Sequence, residues 1–176
     1  MANDVMVTIT GGDRWEAALR RVRDSARDLH AEIGVLEGAT ALKGDEYKGV
    51  TALEVGAFQE FGTSRIPARS FVRRAKEEHG REWAGFVKSY CLRKVGSLVL
   101  DPEAVFLKAL EQAGRKAAAD MKKYISESKL APLSPKTVRR KLAWKKGKYA
   151  AQANIPLAFS GTLVKAIASE VKSGPS

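Results

Sequence analysis

The sequence predicts an α+β fold in which a small antiparallel sheet packs against long amphipathic helices. Apolar residues recur at steps of three and four through two long, charged segments, 13–31 and 102–125, as in helices with one buried face. Short runs containing β-branched residues at 5–9 and 167–171 are typical of strands. With 176 residues, 44% of them hydrophobic, the chain is expected to form one domain over residues 1–176.

Local signals predict the first helix and the strands on either side of it. Val5–Ile9 is the expected first strand, because β-branched residues alternate there and two glycines follow. Asp13 is the expected N-cap of a helix over about residues 13–31, with Glu16 in the capping-box position. A second strand is expected at Ile33–Leu36.

The next segment contains a loop and an element whose type the pattern leaves open. Residues 38–50 hold three glycines and four charged residues, so they are expected to form an exposed loop. Over about residues 50–60, the alternation of Leu53 and Val55 suits a strand, whereas the spacing from Leu53 to Ala57 suits a helix. The helix is favoured, but the strand remains an alternative.

The second half of the chain is expected to be mainly helical. One helix begins near Ser70 and has a weak point at His79-Gly80. Asp101-Pro102 begins the next, because an N-cap residue is followed by proline at the first helical position. Ser134-Pro135 has the same form and predicts a short basic helix. Thr162–Ala168 is expected to form one or two helical turns before the chain returns as a strand.

The positive charge of the chain is unevenly distributed. The formal net charge is +11, yet residues 1–60 contain 7 basic and 11 acidic residues. The excess lies in the last two-thirds, which includes a basic C-terminal extension at about 131–176. This asymmetry indicates a polyanionic partner, or an acidic face that meets the basic face of a neighbouring copy.

The residue inventory argues against catalysis, metal binding and membrane insertion. A single cysteine, Cys91, and two histidines, His30 and His79, supply neither a disulfide nor a Cys/His zinc site. No nucleophile elbow or phosphate-binding loop motif occurs, so no catalytic residue, metal or cofactor is predicted and the protein is not expected to be an enzyme. Without a leader pattern or a long apolar stretch, a cytoplasm-like compartment and no membrane contact are expected.

Basic clusters late in the chain are candidate contacts for a nucleic-acid backbone. Lysine and arginine neutralise phosphates, and the aromatic side chain of Trp144, which lies between two of the clusters, could stack on a base. No sequence-reading motif accompanies them, so only non-specific contact is expected. The candidate residues are Arg139, Arg140, Lys141, Lys145, Lys146 and Lys148.

One segment carries a more specific signal than any other. Residues 54–73 read EVGAFQEFGTSRIPARSFVR. Phe61 is expected to be a buried aromatic at the end of an element, and Gly62 is free to take a positive φ angle. Phe71 is expected to anchor the next helix. The residues between these aromatics should therefore form a stiff loop that is fixed at both ends.

This stiff loop is the expected partner-facing site. Pro67 stiffens the loop, and the guanidinium groups of Arg65 and Arg69 suit a carboxylate or a phosphate. The alternative is that Arg69 pairs with Glu60 inside the subunit and only shapes the turn. The residues assigned to the site are Glu60, Phe61, Gly62, Arg65, Pro67, Arg69 and Phe71.

The same segment, with GVLEGAT at residues 34–40, resembles the neck or tail-completion proteins of tailed bacteriophages, also described as head–tail joining or virion morphogenesis proteins. Ser70 stands where the family pattern has proline. Two later elements are also similar to that family, PLSPKTVRRK at residues 132–141 and PLAFSGTLVKAI at residues 156–167. In the second element, serine and alanine stand where the family has threonine and serine. The resemblance spans about residues 33–171.

The resemblance implies a structural virion protein of a tailed phage or prophage, which completes the tail or joins it to the head or neck. It implies a homo-oligomeric ring, of six copies, around the DNA channel. The implied partners are copies of the chain itself, adjacent neck or connector and tail-tube proteins, and non-specifically bound DNA. The implied locations are the virion and, during assembly, the host cytoplasm. The alternative is a non-virion nucleic-acid-binding protein that uses the basic C-terminal two-thirds.

Overall fold

A computed structural model of the protein describes residues 12–36, 49–94, 97, 101–127, 130–143, 151, 153–157 and 161–174. In these residues the chain forms, in order, α1 (Gly12–Asp28), β1 (Leu29–Val35), α2 (Ala52–Phe61), α3 (Phe71–Arg93), α4 (Pro102–Ser126), α5 (Pro135–Ala143), α6 (Thr162–Ala166) and β2 (Ile167–Ser173). The predicted strand Val5–Ile9, nearly all of the predicted loop 38–50, Trp144, and Lys145, Lys146 and Lys148 lie outside the described residues.

The long helix α4 is the element around which the others pack. It contacts α1, α3 and both strands. Strands β1 and β2 pair antiparallel, with Leu29 opposite Ser173 and Val35 opposite Ile167. A small antiparallel sheet thus packs against long helices, which confirms the predicted α+β class.

Small residues on α4 let the sheet approach closely. Ala113, Ala117 and Ala118 are buried on this helix. A Cβ atom at Gly114 would lie only 2.9 Å from the Cβ of Ser169 on β2. The helix surface and the strand are therefore in van der Waals contact at a distance that a larger side chain would prevent.

The main hydrophobic core lies between α3, α4 and the sheet. Its largest fully buried side chains include Phe71 of α3, Met121 and Ile125 of α4, and Ile167 of β2. The indole Nε1 of Trp83 on α3 donates a 2.8 Å hydrogen bond to Oδ2 of Asp120 on α4. This bond satisfies the indole N–H at the edge of the core.

The boundary between α1 and β1 differs from the prediction. The helix begins at Gly12, so Asp13 lies in its first turn rather than at the N-cap. The helix ends at Asp28 and the strand begins at Leu29, whereas the sequence predicted helix to about residue 31 and strand only from Ile33. The four-residue spacing of Leu29 and Ile33 also fits a helix. Pairing with β2, which places Ile33 opposite Ser169, imposes an extended backbone instead.

Helices α2 and α3 resolve two uncertain predictions in the middle of the chain, the helix-or-strand alternative and the weak point at His79-Gly80. Residues 52–61 are helical, which confirms the favoured alternative over the strand. Thr51 caps α2 through a capping box with Glu54, an N-terminal signal that the prediction did not use. Helix α3 continues without interruption through His79-Gly80, so glycine at that point does not end it.

The predicted helix starts in the second half are confirmed. The Asp101 carboxylate accepts a hydrogen bond from the backbone N–H of Ala104, and Pro102 is the first residue of α4. Ser134 immediately precedes α5, and its hydroxyl oxygen accepts a 3.2 Å hydrogen bond from the backbone N–H of Thr137 in the first turn of that helix. Helix α6 and strand β2 follow in the predicted order, but the helix ends at Ala166 rather than at Ala168. Among the described residues, no helix combines the length and the apolar character needed to cross a membrane.

Candidate interaction site around the motif loop

Residues 62–70, between α2 and α3, form the motif loop, and Gly62 fixes its shape. This glycine ends α2 with φ 77° and ψ 174°, a region of conformational space that is essentially restricted to glycine. A Cβ atom here would lie 2.9 Å from the backbone nitrogen of Ala68 and 3.0 Å from the carbonyl oxygen of Ile66. The backbone N–H of Thr63 then donates to that same carbonyl at 2.8 Å. The predicted positive φ angle is confirmed.

Glu60 connects the end of α2 to the start of α3. Its side chain is buried, and its two carboxylate oxygens accept hydrogen bonds from the backbone N–H groups of Val72 at 2.9 Å and Arg73 at 3.1 Å. The hydroxyl of Ser70 donates to the carbonyl oxygen of Glu60 at 2.9 Å. The Ser70 side chain does not cap α3, so Glu60 satisfies the exposed amides of that helix and places a negative charge at its positive end.

Arg69 connects the motif loop to the segment that precedes α5. The side chain is buried and donates from Nε to the carbonyl oxygen of Ala131 at 3.0 Å, and from Nη2 to that of Pro132 at 3.3 Å. Nη1 donates to Oε1 of Gln59 at 3.3 Å. Burial lowers the pKa of Arg69 from its ordinary value.

The positions of Glu60 and Arg69 correct two expectations from the sequence. Arg69 does not pair with Glu60, because each of them is committed to backbone groups of a different element. Arg69 is also enclosed by residues 131–132 and is not displayed to a partner. Arg65 is exposed, as the predicted role requires, and so is Pro67.

The two motif aromatics lie in opposite environments. Phe71 is 1% exposed and anchors α3 in the core, as predicted. Phe61 is 74% exposed, so the prediction that it is buried was wrong. Leu53, Ala57 and Phe61 follow one another at four-residue steps and lie along one exposed face of α2, beside the row of buried residues that precede each of them by one position. We call the exposed apolar residues Leu53, Phe58 and Phe61 the α2 face.

A groove of about 570 Å³ lies beside the motif loop. It brings the motif loop next to α5, although these segments are far apart in the sequence. We call it the basic groove, because four of the side chains that line it are cationic: Arg65, Arg69, Arg140 and Lys141. The rest of the lining is mostly aliphatic, and its polar members include Gln59, Ser134 and Thr137.

Lys141 lies inside the groove region rather than on the protein surface. Its side chain is buried, and Nζ donates to the carbonyl oxygen of Ile155 at 2.8 Å. Burial, together with the nearby charge of Arg69, lowers the pKa of Lys141 to about 8. Lys141 is therefore poorly placed for the predicted contact with DNA, whereas Arg139 and Arg140 are exposed on the same helix.

A strained residue forms part of the groove wall. Leu157 has φ 63°, in the left-handed region that a branched side chain rarely adopts. It both lines the groove and packs against the main core. Such strain costs on the order of 1–3 kcal/mol and persists only where the surrounding structure holds it.

A second polar cluster lies away from the groove, between α3 and α4. Ligand atoms of His79, Glu82 and Asp120 come within 4.8 Å of one another, which is compatible with a metal site. The Lys116 ammonium contacts Glu82 at 2.9 Å and Asp120 at 3.2 Å. Hydrogen bonds to these carboxylates raise the pKa of Lys116, so the lysine supplies the positive charge and the cluster acts as an ion-pair network.

The lone cysteine lies on α3. Cys91 is partly buried, and burial raises the pKa of its thiol. A raised pKa reduces the thiolate fraction at neutral pH. Cys91 is therefore poorly suited to act as a nucleophile.

Comparison of the chain with protein-family models, with curated proteins and with solved structures finds no match in any of the three. Functional interpretation therefore depends on the motif loop, the α2 face and the basic groove. Sequence reasoning identified the motif loop and the cationic residues Arg65, Arg140 and Lys141. It missed their convergence in one groove, which only the packing of α5 beside the motif loop produces.

Proposed function

We propose that the protein is a non-enzymatic structural virion protein of a tailed phage or prophage, which completes the tail or joins it to the head or neck. In this proposal, six copies form a ring around the DNA channel and contact neck or connector and tail-tube proteins. The resemblance of residues 54–73 to the tail-completion family suggests this role. The observation that carries it is the exposure of Phe61, at 74%, within that most specific segment.

The α2 face has the character of a contact surface. Leu53 is 41% exposed and Phe58 is 44% exposed, so Phe61 is not an isolated apolar side chain. Covering apolar surface is favourable by about 25 cal/mol per Å², and aromatic side chains are enriched at the centres of interfaces. A neighbouring copy that covered this face would gain stability from it.

A ring also accounts for the difference between the two aromatics of the motif. Phe71 holds the motif loop to its own subunit, whereas Phe61 points its ring into solvent from the adjoining helix end. In a closed ring each subunit presents one face to one neighbour and a different face to the other. The uneven charge along the chain suits such head-to-tail contacts.

The decisive experiment measures the mass of the purified protein by light scattering across a range of concentrations, together with electron microscopy of the particles. We expect a concentration-dependent ring. Phe61→Ser should prevent ring formation while leaving the thermal unfolding of the subunit nearly unchanged. Leu92→Ser is the matched control, because Leu92 is also an exposed apolar side chain, at 63%, but lies on α3.

The competing function is non-virion nucleic-acid binding through exposed basic residues such as Arg139 and Arg140. A protein that stays monomeric at every concentration and shifts duplex DNA with a steep salt dependence would support this alternative and contradict the ring. Incorporation of the protein into phage particles can be tested separately by following a tagged copy through phage production. The proposal requires the tagged protein to purify with the particles.

A further inference from the structure

The basic groove carries positive charge that its own lining does not balance. Arg65, Arg69, Arg140 and Lys141 line it, and none of the described residues that line it is an Asp or a Glu. Arg65 and Arg140 are exposed. Within the part of the chain that the structure describes, their side chains form no hydrogen bond or ion pair. These two cations are therefore available to an anionic ligand.

The two inner cations contribute charge in a different way. Arg69 directs its N–H groups to the carbonyl oxygens of Ala131 and Pro132 and to Gln59, and Lys141 donates to the carbonyl oxygen of Ile155. Arg69 is close enough to disfavour the charged form of Lys141. An anion in the groove would relieve this repulsion, because opposite charges interact strongly in a partly desolvated site.

The remaining lining is mostly aliphatic, and this distinguishes between nucleic acids and peptides as the anionic ligand. Single-stranded nucleic acids bind through a basic track combined with aromatic side chains on which bases stack. None of the described residues that line this groove is aromatic. Side chains that suit leucine-like or valine-like ligand groups line it instead: Val55, Ile66, Pro67, Leu133, Leu157 and Leu163.

The walls of the groove are fixed before any ligand arrives. Gly62 sets the turn at one end of the motif loop, and Arg69 ties the other end to residues 131–132. Pro67 and Pro132 restrict the backbone on both sides of the groove. A preformed site loses little conformational entropy on binding, which favours recognition of an extended chain.

We propose that the basic groove is a docking site for an extended acidic peptide segment of a partner protein, with its carboxylates on Arg65 and Arg140 and its aliphatic side chains on the groove floor. Charge complementarity and the aliphatic lining together select this occupant. The proposal is independent of the ring, because it concerns a different surface from the α2 face.

The test uses the full chain and a short, end-capped fluorescent peptide in which glutamate and leucine alternate between flanking serines. Fluorescence anisotropy should show saturable binding that weakens as salt is added. A peptide with glutamine in place of each glutamate, and one with serine in place of each leucine, should each bind at least about tenfold more weakly. Both losses are required, because the proposal assigns a role to charge and to aliphatic contact.

Matched variants locate the binding site. The double variant Arg65→Gln, Arg140→Gln should weaken binding by about tenfold or more, while its thermal unfolding midpoint stays close to that of the parent. The control is Arg73→Gln, Arg139→Gln, which removes the same charge from exposed arginines that do not line the groove. The control variant should bind as the parent does.

Several results would overturn the proposal. These are no binding at the highest soluble concentration, equal binding of the glutamine peptide, and an equal loss in the control variant. Displacement of the peptide by a thymidine oligonucleotide at lower concentration than by unlabelled peptide would assign the groove to nucleic acid instead. Because these assays do not depend on oligomeric state, failure of the ring proposal leaves their outcome interpretable.

Discussion

The carboxylate of Glu60 and the guanidinium of Arg69 lie near the two ends of the motif loop, and each fixes the loop to a different part of the chain. Glu60 accepts hydrogen bonds from the first turn of α3, and Arg69 donates to carbonyl oxygens at residues 131 and 132. The loop is therefore held by two independent polar anchors. Its shape does not depend on an ion pair between these two residues.

Replacing Glu60 with glutamine should destabilise the protein by roughly 1–2 kcal/mol, because one of two bonds to helix amides is lost together with the favourable charge at the helix end. Urea unfolding followed by circular dichroism measures this. Glu77→Gln, at an exposed position on α3, should change the free energy of unfolding by less than about 0.5 kcal/mol. Equal effects in the two variants would show that Glu60 has no special role.

The same glycine-to-alanine change should have opposite effects at two positions. Gly62→Ala should destabilise by roughly 1–3 kcal/mol from backbone strain alone, since φ is 77° there and a Cβ atom would contact Ala68. Gly85→Ala should stabilise by roughly 0.5–1 kcal/mol, because Gly85 is helical and has open space around it. Thermal unfolding of both variants checks the signs, and a neutral Gly62→Ala would contradict the described turn.

Two substitutions at Leu157 can separate packing from strain. Leu157→Ala and Leu157→Gly both remove the side chain from the groove wall and the core, but only glycine relieves the left-handed backbone. The glycine variant should therefore be more stable than the alanine variant by roughly 1 kcal/mol. At a residue with a negative φ angle, the alanine variant would be the more stable of the two. Chemical denaturation of both variants therefore tests the φ angle of Leu157 directly.

The stability of the protein should depend on pH through Lys141. Its folded pKa of about 8 lies below the ordinary value of 10.5, so the unfolded chain binds more protons between those values. The destabilising effect of its charge is complete below about pH 8 and disappears as the pH rises towards 10.5. The stability of Lys141→Met relative to the parent should consequently fall by about 2 kcal/mol between about pH 7 and pH 10.

The exposed lysine Lys136, also on α5, provides the control for this measurement. Urea titrations of the parent, Lys141→Met and Lys136→Met over the same pH series isolate the Lys141 contribution from the other groups that titrate there. A constant difference between Lys141→Met and the parent would contradict the lowered pKa.

Sequence patterns predicted the elements whose signals are local. The Asp101-Pro102 and Ser134-Pro135 starts were correct because an N-cap side chain and a proline act within one helical turn. The α1–β1 boundary was wrong because the spacing of Leu29 and Ile33 fits a helix, and their extended form is imposed by β2, a strand far along the chain.

The candidate site was less predictable because its key contacts are non-local. The positive φ of Gly62 and the burial of Phe71 follow from the motif itself. The carbonyl groups that bind Arg69 come from residues 131 and 132, and no sequence pattern announces backbone acceptors. Phe61 was expected inside because an aromatic side chain usually is, yet the orientation of α2 places it outside.

The pairing of β1 with β2 has a consequence for how the chain acquires its structure. Residues 29–35 find their partner only at 167–173, so the sheet closes a loop that contains most of the protein. Closing such a loop has an entropic cost that local helices do not share, and it slows folding. During synthesis, the surface of α4 around Gly114 that Ser169 of β2 covers stays exposed until residues 167–173 have been made. The hydrophobic core, which includes Ile167 of β2, is therefore completed only after those residues have been synthesised.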